Sequence, residues 1–141
     1  MLGSCVSITL WHRERRLGGM CHYLLPSRKE ARALAPDGRY GEEAMVLLER
    51  AMRDAGTPPR EYRAKIFGGG RMFSGRQGNK NVLDIGTRNI EAARRLLHQH
   101  GLATASEHLA GIGHRSIVFD IASGDVWVRH MSGQVQRRDV A

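Results

Sequence analysis

The chain has 141 residues, of which 41% are hydrophobic and 26% charged, and its formal net charge is +8. That length predicts one domain over residues 1–141, large enough to bury a core without disulfides or metal ions. No apolar run approaches the ~20 residues of a membrane span, and no basic and then apolar signal segment opens the sequence. We therefore expect a cytoplasmic protein without membrane insertion.

The first half of the chain predicts a hairpin, a loop and a helix. Alternating apolar and polar residues predict strands over residues 2–11 and 17–25, joined by a polar turn. Residues 27–39 are polar and predict a loop that is long for a compact domain. Apolar residues at helical spacing predict a helix over residues 42–55, which the Gly-Thr-Pro-Pro segment at 56–59 ends.

The second half predicts a strand, a helix and three short strands. The strand at residues 62–67 runs into the glycine triplet 68–70. An amphipathic helix over residues 89–100 has Asn89 or Thr87 as its candidate cap. The short strands follow at residues 102–106, 115–121 and 125–130. Strands and helices without strict alternation predict an α/β sandwich, with two main helices against a mixed, mostly antiparallel sheet.

The positive charge raises the question of an acidic partner. Lysine and arginine number 22 against 14 acidic residues, a balance compatible with nucleic-acid binding. The basic residues are scattered, however, and 6% aromatic residues are too few for a platform that stacks bases. We expect no nucleic-acid partner, and a solvated arginine-rich surface explains the charge more simply.

The two cysteines, Cys5 and Cys21, predict neither a disulfide nor a metal site. Structural disulfides are rare in reducing compartments. The sequence holds no C-x-x-C or H-x-x-x-H spacing, and His98 and His100 do not share a helix face. We therefore expect no metal and no cofactor.

Cys5 and His22 are the candidates for chemistry. A cysteine attacks as its thiolate, which a histidine within hydrogen-bond reach can generate. Pairing of the two predicted strands would bring Cys5 and His22 to the same end of the hairpin. The alternative is that Cys5 is a small buried apolar residue, as free cysteines often are. Cys21 neighbours His22 in the strand, so its side chain should point to the opposite face and pack in the core.

Several segments of the sequence, including the two that contain Cys5 and His22, resemble one known family. Collinear matches run along nearly the whole chain, and together they are specific, although a lone Gly-Ser-Cys would carry little weight. The segments are Leu2-Gly3-Ser4-Cys5-Val6, residues 18–26 (GGMCHYLLP), Arg39-Tyr40-Gly41, residues 64–69 (AKIFGG) and residues 85–89 (IGTRN). They closely resemble the chemoreceptor glutamine deamidases of the CheD family.

The resemblance implies an activity, a fold and partners. Cys5 would be the nucleophile and His22 the general base and acid in hydrolysis of receptor glutamine side chains to glutamate. The fold implied is an α/β sandwich akin to the deamidase domains of certain bacterial toxins. The partners implied are methyl-accepting chemotaxis receptors and, in some organisms, a CheC-type phosphatase.

Main-chain groups near Cys5 are further candidates. Exposed amides there could bind an oxyanion, and glycines allow another part of the chain to approach closely. We expect oxyanion or loop support from Ser4, Gly19, Gly68 and Gly69.

The sequence also departs from the family pattern. The family's third catalytic residue is a threonine a few positions before Gly-Ser-Cys, whereas this sequence starts at Met1, so that residue and the usual first strand are missing. Near the carboxyl terminus, His108 and Ala110 stand where the family has aspartate and glycine. A second hypothesis is therefore a catalytically impaired CheD-like module that binds receptors or a CheC-type phosphatase.

Overall fold

The computed structural model describes residues 1–30, 35–71, 84–132 and 135–140. Its elements, in chain order, are β1 (Val6–His12), β2 (Leu17–Tyr23), α1 (Gly41–Asp54), β3 (Tyr62–Gly68), α2 (Ile85–Gln99), β4 (Ala103–Leu109), β5 (His114–Phe119), β6 (Val126–Ser132) and β7 (Val135–Val140), with a short 3-10 turn at Pro59–Glu61. Within these described ranges, no helix has the length and apolarity needed to cross a membrane.

The first sheet has four strands in the order β2-β1-β3-β4. β1 runs antiparallel to both β2 and β3, whereas β3 and β4 are parallel. One face of this sheet packs against both helices. The main core lies there and includes Val6, Ile8 and Leu10 of β1, Met45 and Met52 of α1, and Ile90, Ala93, Leu96 and Leu97 of α2.

The second sheet is antiparallel, in the order β5-β6-β7, and packs on the other face of the first. A smaller apolar cluster joins the two sheets, with Phe67 of β3 contacting Val126 and Val128 of β6. As a result β1 is covered on both faces. Even its hydroxyl-bearing residues Ser7 and Thr9 are buried.

The α/β class and the two main helices are confirmed, and the sheet arrangement is more elaborate than the sequence predicted. The strands form two stacked sheets, and the predictions missed β7 because Gln136, Arg137, Arg138 and Asp139 break any apolar alternation. Part of the predicted loop at residues 27–39, namely 31–34, lies outside the described residues.

Two boundary predictions were wrong. α2 begins four residues earlier than predicted, with Asp84 as its cap, whose side chain accepts a hydrogen bond from the Gly86 N–H. Asn89 and Thr87 are therefore inside the helix. The first strand begins at Val6, so Cys5 immediately precedes it.

Candidate functional site

The main chain around Cys5 is held by the glycine-rich end of β3. The Gly69 N–H donates to the Cys5 carbonyl at 2.9 Å, and the Gly70 N–H donates to the Gly3 carbonyl at 2.8 Å. Gly68 has φ +110°, and a Cβ placed there would lie 2.2 Å from the Cys5 carbonyl oxygen. Only glycine fits so close to the backbone of Cys5. Gly68 and Gly69 thus contact the Cys5 main chain, and this contact occupies the Gly69 N–H.

The Asn89 side chain joins the two segments that carry the candidate residues. Its Nδ2 donates to the Ser4 carbonyl at 3.0 Å and to the Leu24 carbonyl at 2.8 Å. Ser4 directly precedes Cys5, and Leu24 follows His22 by two residues. Asn89 is fully buried, so these bonds are shielded from competing water. One amide group therefore fixes the end of β2 relative to the Cys5 segment.

The strand register places Cys5 and His22 on the same side of the first sheet. Ser7 lies opposite His22 in the β1–β2 ladder, and Cys5 precedes Ser7 by two residues. Residues two apart in an extended chain share a face. Cys5 packs in the cluster between the sheets, on the side where Phe67 lies opposite Ser7. The register therefore places the Cys5 and His22 side chains on one side of the sheet, at the same end of the hairpin.

Cys21 lies on the opposite face, as the sequence predicted. It is opposite Ile8 in the register and packs against the core beneath the helices. Burial raises the pKa of the Cys21 thiol to about 11. That thiol stays protonated at neutral pH and is a poor nucleophile.

The electrostatic environment of His22 favours its neutral form. Partial desolvation of the imidazole lowers the pKa of His22, and the positive amino terminus lowers it further. A neutral imidazole is the form that can accept a proton from a thiol. In the described part of the chain, neither the Cys5 sulfur nor the His22 ring has a hydrogen-bond partner.

A buried arginine supports the start of the Cys5 segment. The main chain of Arg115 exchanges two hydrogen bonds with Leu2, at 2.7 and 2.8 Å. Its side chain, although charged, is in a residue only 2% exposed. Arg115 Nε donates to His108 Nδ1 at 2.8 Å, and Nη2 donates to the Ala110 carbonyl at 2.6 Å. The residues that depart from the family pattern thus accept hydrogen bonds from this guanidinium.

Gly19 lies apart from this cluster. It is opposite Leu10 in the β1–β2 register, four positions from the Val6–Tyr23 pair, which corresponds to roughly 13 Å along a strand. A Cβ at Gly19 would contact Leu48 of α1 at 3.0 Å. The structure therefore brings Ser4, Gly68 and Gly69 to Cys5, but not Gly19.

Sequence reasoning missed the role of Asn89. Its polar side chain lies on the apolar face of α2, at the i, i+4 and i+7 spacing that it shares with Ala93 and Leu96. A polar residue within such a face must find a buried partner. That pattern was the available signal, and the incorrect helix start concealed it.

The fold and the site together define an α/β sandwich with a cysteine and a histidine at one end of a hairpin, an arrangement suited to nucleophilic chemistry. Comparison with known proteins adds the family. The family model described as CheD chemotactic sensory transduction matches residues 24–130. The chain belongs to the CheD family.

Similar curated proteins cover almost all of the chain. A protein of Dechloromonas aromatica named "Probable chemoreceptor glutamine deamidase CheD 3" is 49% identical over 94% of this chain and 77% of its own length. A "Probable chemoreceptor glutamine deamidase CheD" of Pseudomonas savastanoi is 45% identical over 99% of this chain and 78% of its own. A protein of the same name from Thermococcus kodakarensis is 37% identical over 93% of this chain and 80% of its own length.

Replacing Asn89 tests its place at the site. Asn89→Ala leaves two buried carbonyl groups without their donor, so we expect the free energy of unfolding to fall by about 2 kcal/mol. Asn89→Asp should cost at least as much, because a carboxylate would face two carbonyl oxygens. Urea unfolding measures the change.

The matched control for Asn89 is Thr87→Ala, an exposed residue on the same helix, which should change stability by less than about 0.5 kcal/mol. Alkylation of Cys5 in the folded protein gives a second readout, since a displaced Ser4–Cys5 segment should alter its rate. Wild-type stability and wild-type alkylation in Asn89→Asp would show that this amide does not hold the site.

Proposed function

We propose that this chain hydrolyses glutamine side chains of chemoreceptors to glutamate, with Cys5 as nucleophile and His22 as general base and acid. The observation that carries the proposal is the β1–β2 register, which puts both side chains on one side of the sheet. The names of the relatives supply the substrate, because each describes a chemoreceptor glutamine deamidase.

The bond-making and proton-transfer steps of the reaction use these two side chains and water. His22 takes the Cys5 proton, and the thiolate attacks the amide carbon of the glutamine side chain to give a tetrahedral oxyanion. The imidazolium returns its proton to the amide nitrogen as the C–N bond breaks, releasing ammonia and leaving a thioester. Water, deprotonated by His22, then cleaves the thioester, so that glutamate forms and Cys5 recovers its proton.

A main-chain N–H would stabilise the oxyanion. The Gly69 N–H already binds the Cys5 carbonyl, so Gly69 contributes by fixing the nucleophile's backbone. At Ser4, Asn89 binds the carbonyl and not the N–H. We therefore assign the candidate oxyanion donor to the Ser4–Cys5 main chain, where preorganised amides are most effective.

The proposal extends to location and partners. Chemoreceptor glutamines that such an enzyme modifies would lie in the cytoplasm, where we place this chain. The net charge of +8 would steer it towards acidic surfaces. By family resemblance, we also propose a CheC-type phosphatase as a partner.

One observation favours a second candidate, a CheD-like module that binds receptors or the phosphatase without turning over. Within the described residues, no side chain orients the His22 ring through a hydrogen bond. Loss of an orienting group can reduce rates by orders of magnitude while the nucleophile remains. Binding without conversion would support this candidate.

The two cysteines provide a matched test of the nucleophile. We expect Cys5→Ala to abolish the Gln-to-Glu mass increment in a receptor cytoplasmic fragment incubated with the protein. Cys21→Ala should retain conversion, because Cys21 packs in the core on the other face of the sheet. Mass spectrometry of receptor peptides measures both. Conversion that survives Cys5→Ala would refute the assignment.

The pH profile tests the role of His22. The site lowers the pKa of His22, so the neutral imidazole should persist to a more acidic pH than in a free histidine, whose pKa is about 6.5. We expect the acid limb of kcat/KM to fall below that value and to vanish in the residual activity of His22→Ala. An acid limb at or above pH ~7 would contradict the role.

A further inference from the structure

The edge of the first sheet borders a largely apolar groove, and of its lining residues only His22 has a part in the proposed chemistry. The groove has a volume of about 460 Å³ and runs between β2 and α1. Its lining includes residues 20–22 of β2, Leu47 and Leu48 of α1, and the turn at residues 37–39.

Several large apolar side chains at this groove are exposed to solvent. Met20 is 53% exposed and Leu47 is 40% exposed. Leu24 and Leu25, which follow β2 directly and pair with the main chain at residues 39–41, are also exposed. Contiguous exposed apolar residues of this kind mark binding surfaces.

The main chain of β2 also faces the groove. The Leu24 N–H points outward and donates to the Arg39 carbonyl at 2.9 Å. Main-chain groups two residues apart in an antiparallel strand point the same way, so those of Met20 and His22 point outward as well. β2 is an edge strand, and in the described part of the chain no other strand pairs with this stretch. The groove therefore offers hydrogen-bonding groups beside apolar side chains, as peptide-binding grooves do.

We propose that this groove binds the receptor segment that carries the target glutamine, with Leu47 and Met20 contacting apolar side chains next to that glutamine. The inference rests on the proposed function, because His22 is both the proposed base and a wall of the groove. His22 borders the groove at the edge of the sheet, so a segment bound here runs beside the strand that carries the proposed base. An acidic receptor segment would be attracted by a chain of net charge +8, which would favour the encounter.

Binding measurements test the groove separately from the chemistry. The probe is the cytoplasmic fragment of a chemoreceptor encoded in the same genome, and the protein carries Cys5→Ala so that no conversion occurs. Adding Leu47→Gln should weaken the Kd about fivefold to tenfold, since a polar group replaces a leucine that becomes buried on binding. Met20→Gln should weaken it in the same direction.

The matched control is Val118→Gln, which alters an exposed apolar residue on β5 outside the groove and should leave the Kd unchanged. An unchanged Kd in both groove variants, an equal loss in the control, or no binding of the fragment would overturn the proposal. Wild-type conversion of receptor glutamine with unchanged groove-variant affinity would refute the groove alone. Weakened binding in a protein that converts no glutamine would refute deamidation and leave the groove supported.

Discussion

Four consecutive main-chain carbonyls, from Leu2 to Cys5, are held by donors from three parts of the fold, and the site depends on this constraint. The donors are the N–H groups of Arg115, Gly70 and Gly69 and the side-chain amide of Asn89. A segment that lies outside a strand lacks the regular main-chain hydrogen bonds of a sheet, so its polar groups need other partners. Here β5, the glycine-rich end of β3 and the first turns of α2 fix it together, so the position of Cys5 depends on the packing of both sheets and a helix.

The two faces of the first sheet explain why the two cysteines, Cys5 and Cys21, differ in reactivity. Cys21 faces the helices, where burial raises its pKa to about 11. Cys5 lies on the other face, at the end of the sheet where His22 lies on the edge strand. A change of register by one residue would exchange these faces. Strand pairing, rather than the identity of the residue, therefore determines which thiol can react.

The sequence predicted the parts of the fold that have strong local periodicity. The hairpin and both helices have clear apolar spacing, and the positions of Cys5 and His22 relative to each other follow from hairpin pairing. The separation into two sheets depends on contacts between distant residues such as Phe67 and Val128, which no local pattern contains. The Asn89 contacts were missed for the same reason, since its carbonyl partners lie 65 and 85 residues away.

The central claim is that Cys5 and His22 act as a pair, and the reactivity of the Cys5 thiol tests it most directly. Alkylation by iodoacetamide at neutral pH, followed at each cysteine by mass spectrometry, compares the wild-type protein with His22→Ala. We expect Cys5 to react more slowly in His22→Ala, because the base that generates its thiolate is lost, and Cys21 to stay unreactive in both proteins. An equal rate at Cys5 in the two proteins would contradict the pairing.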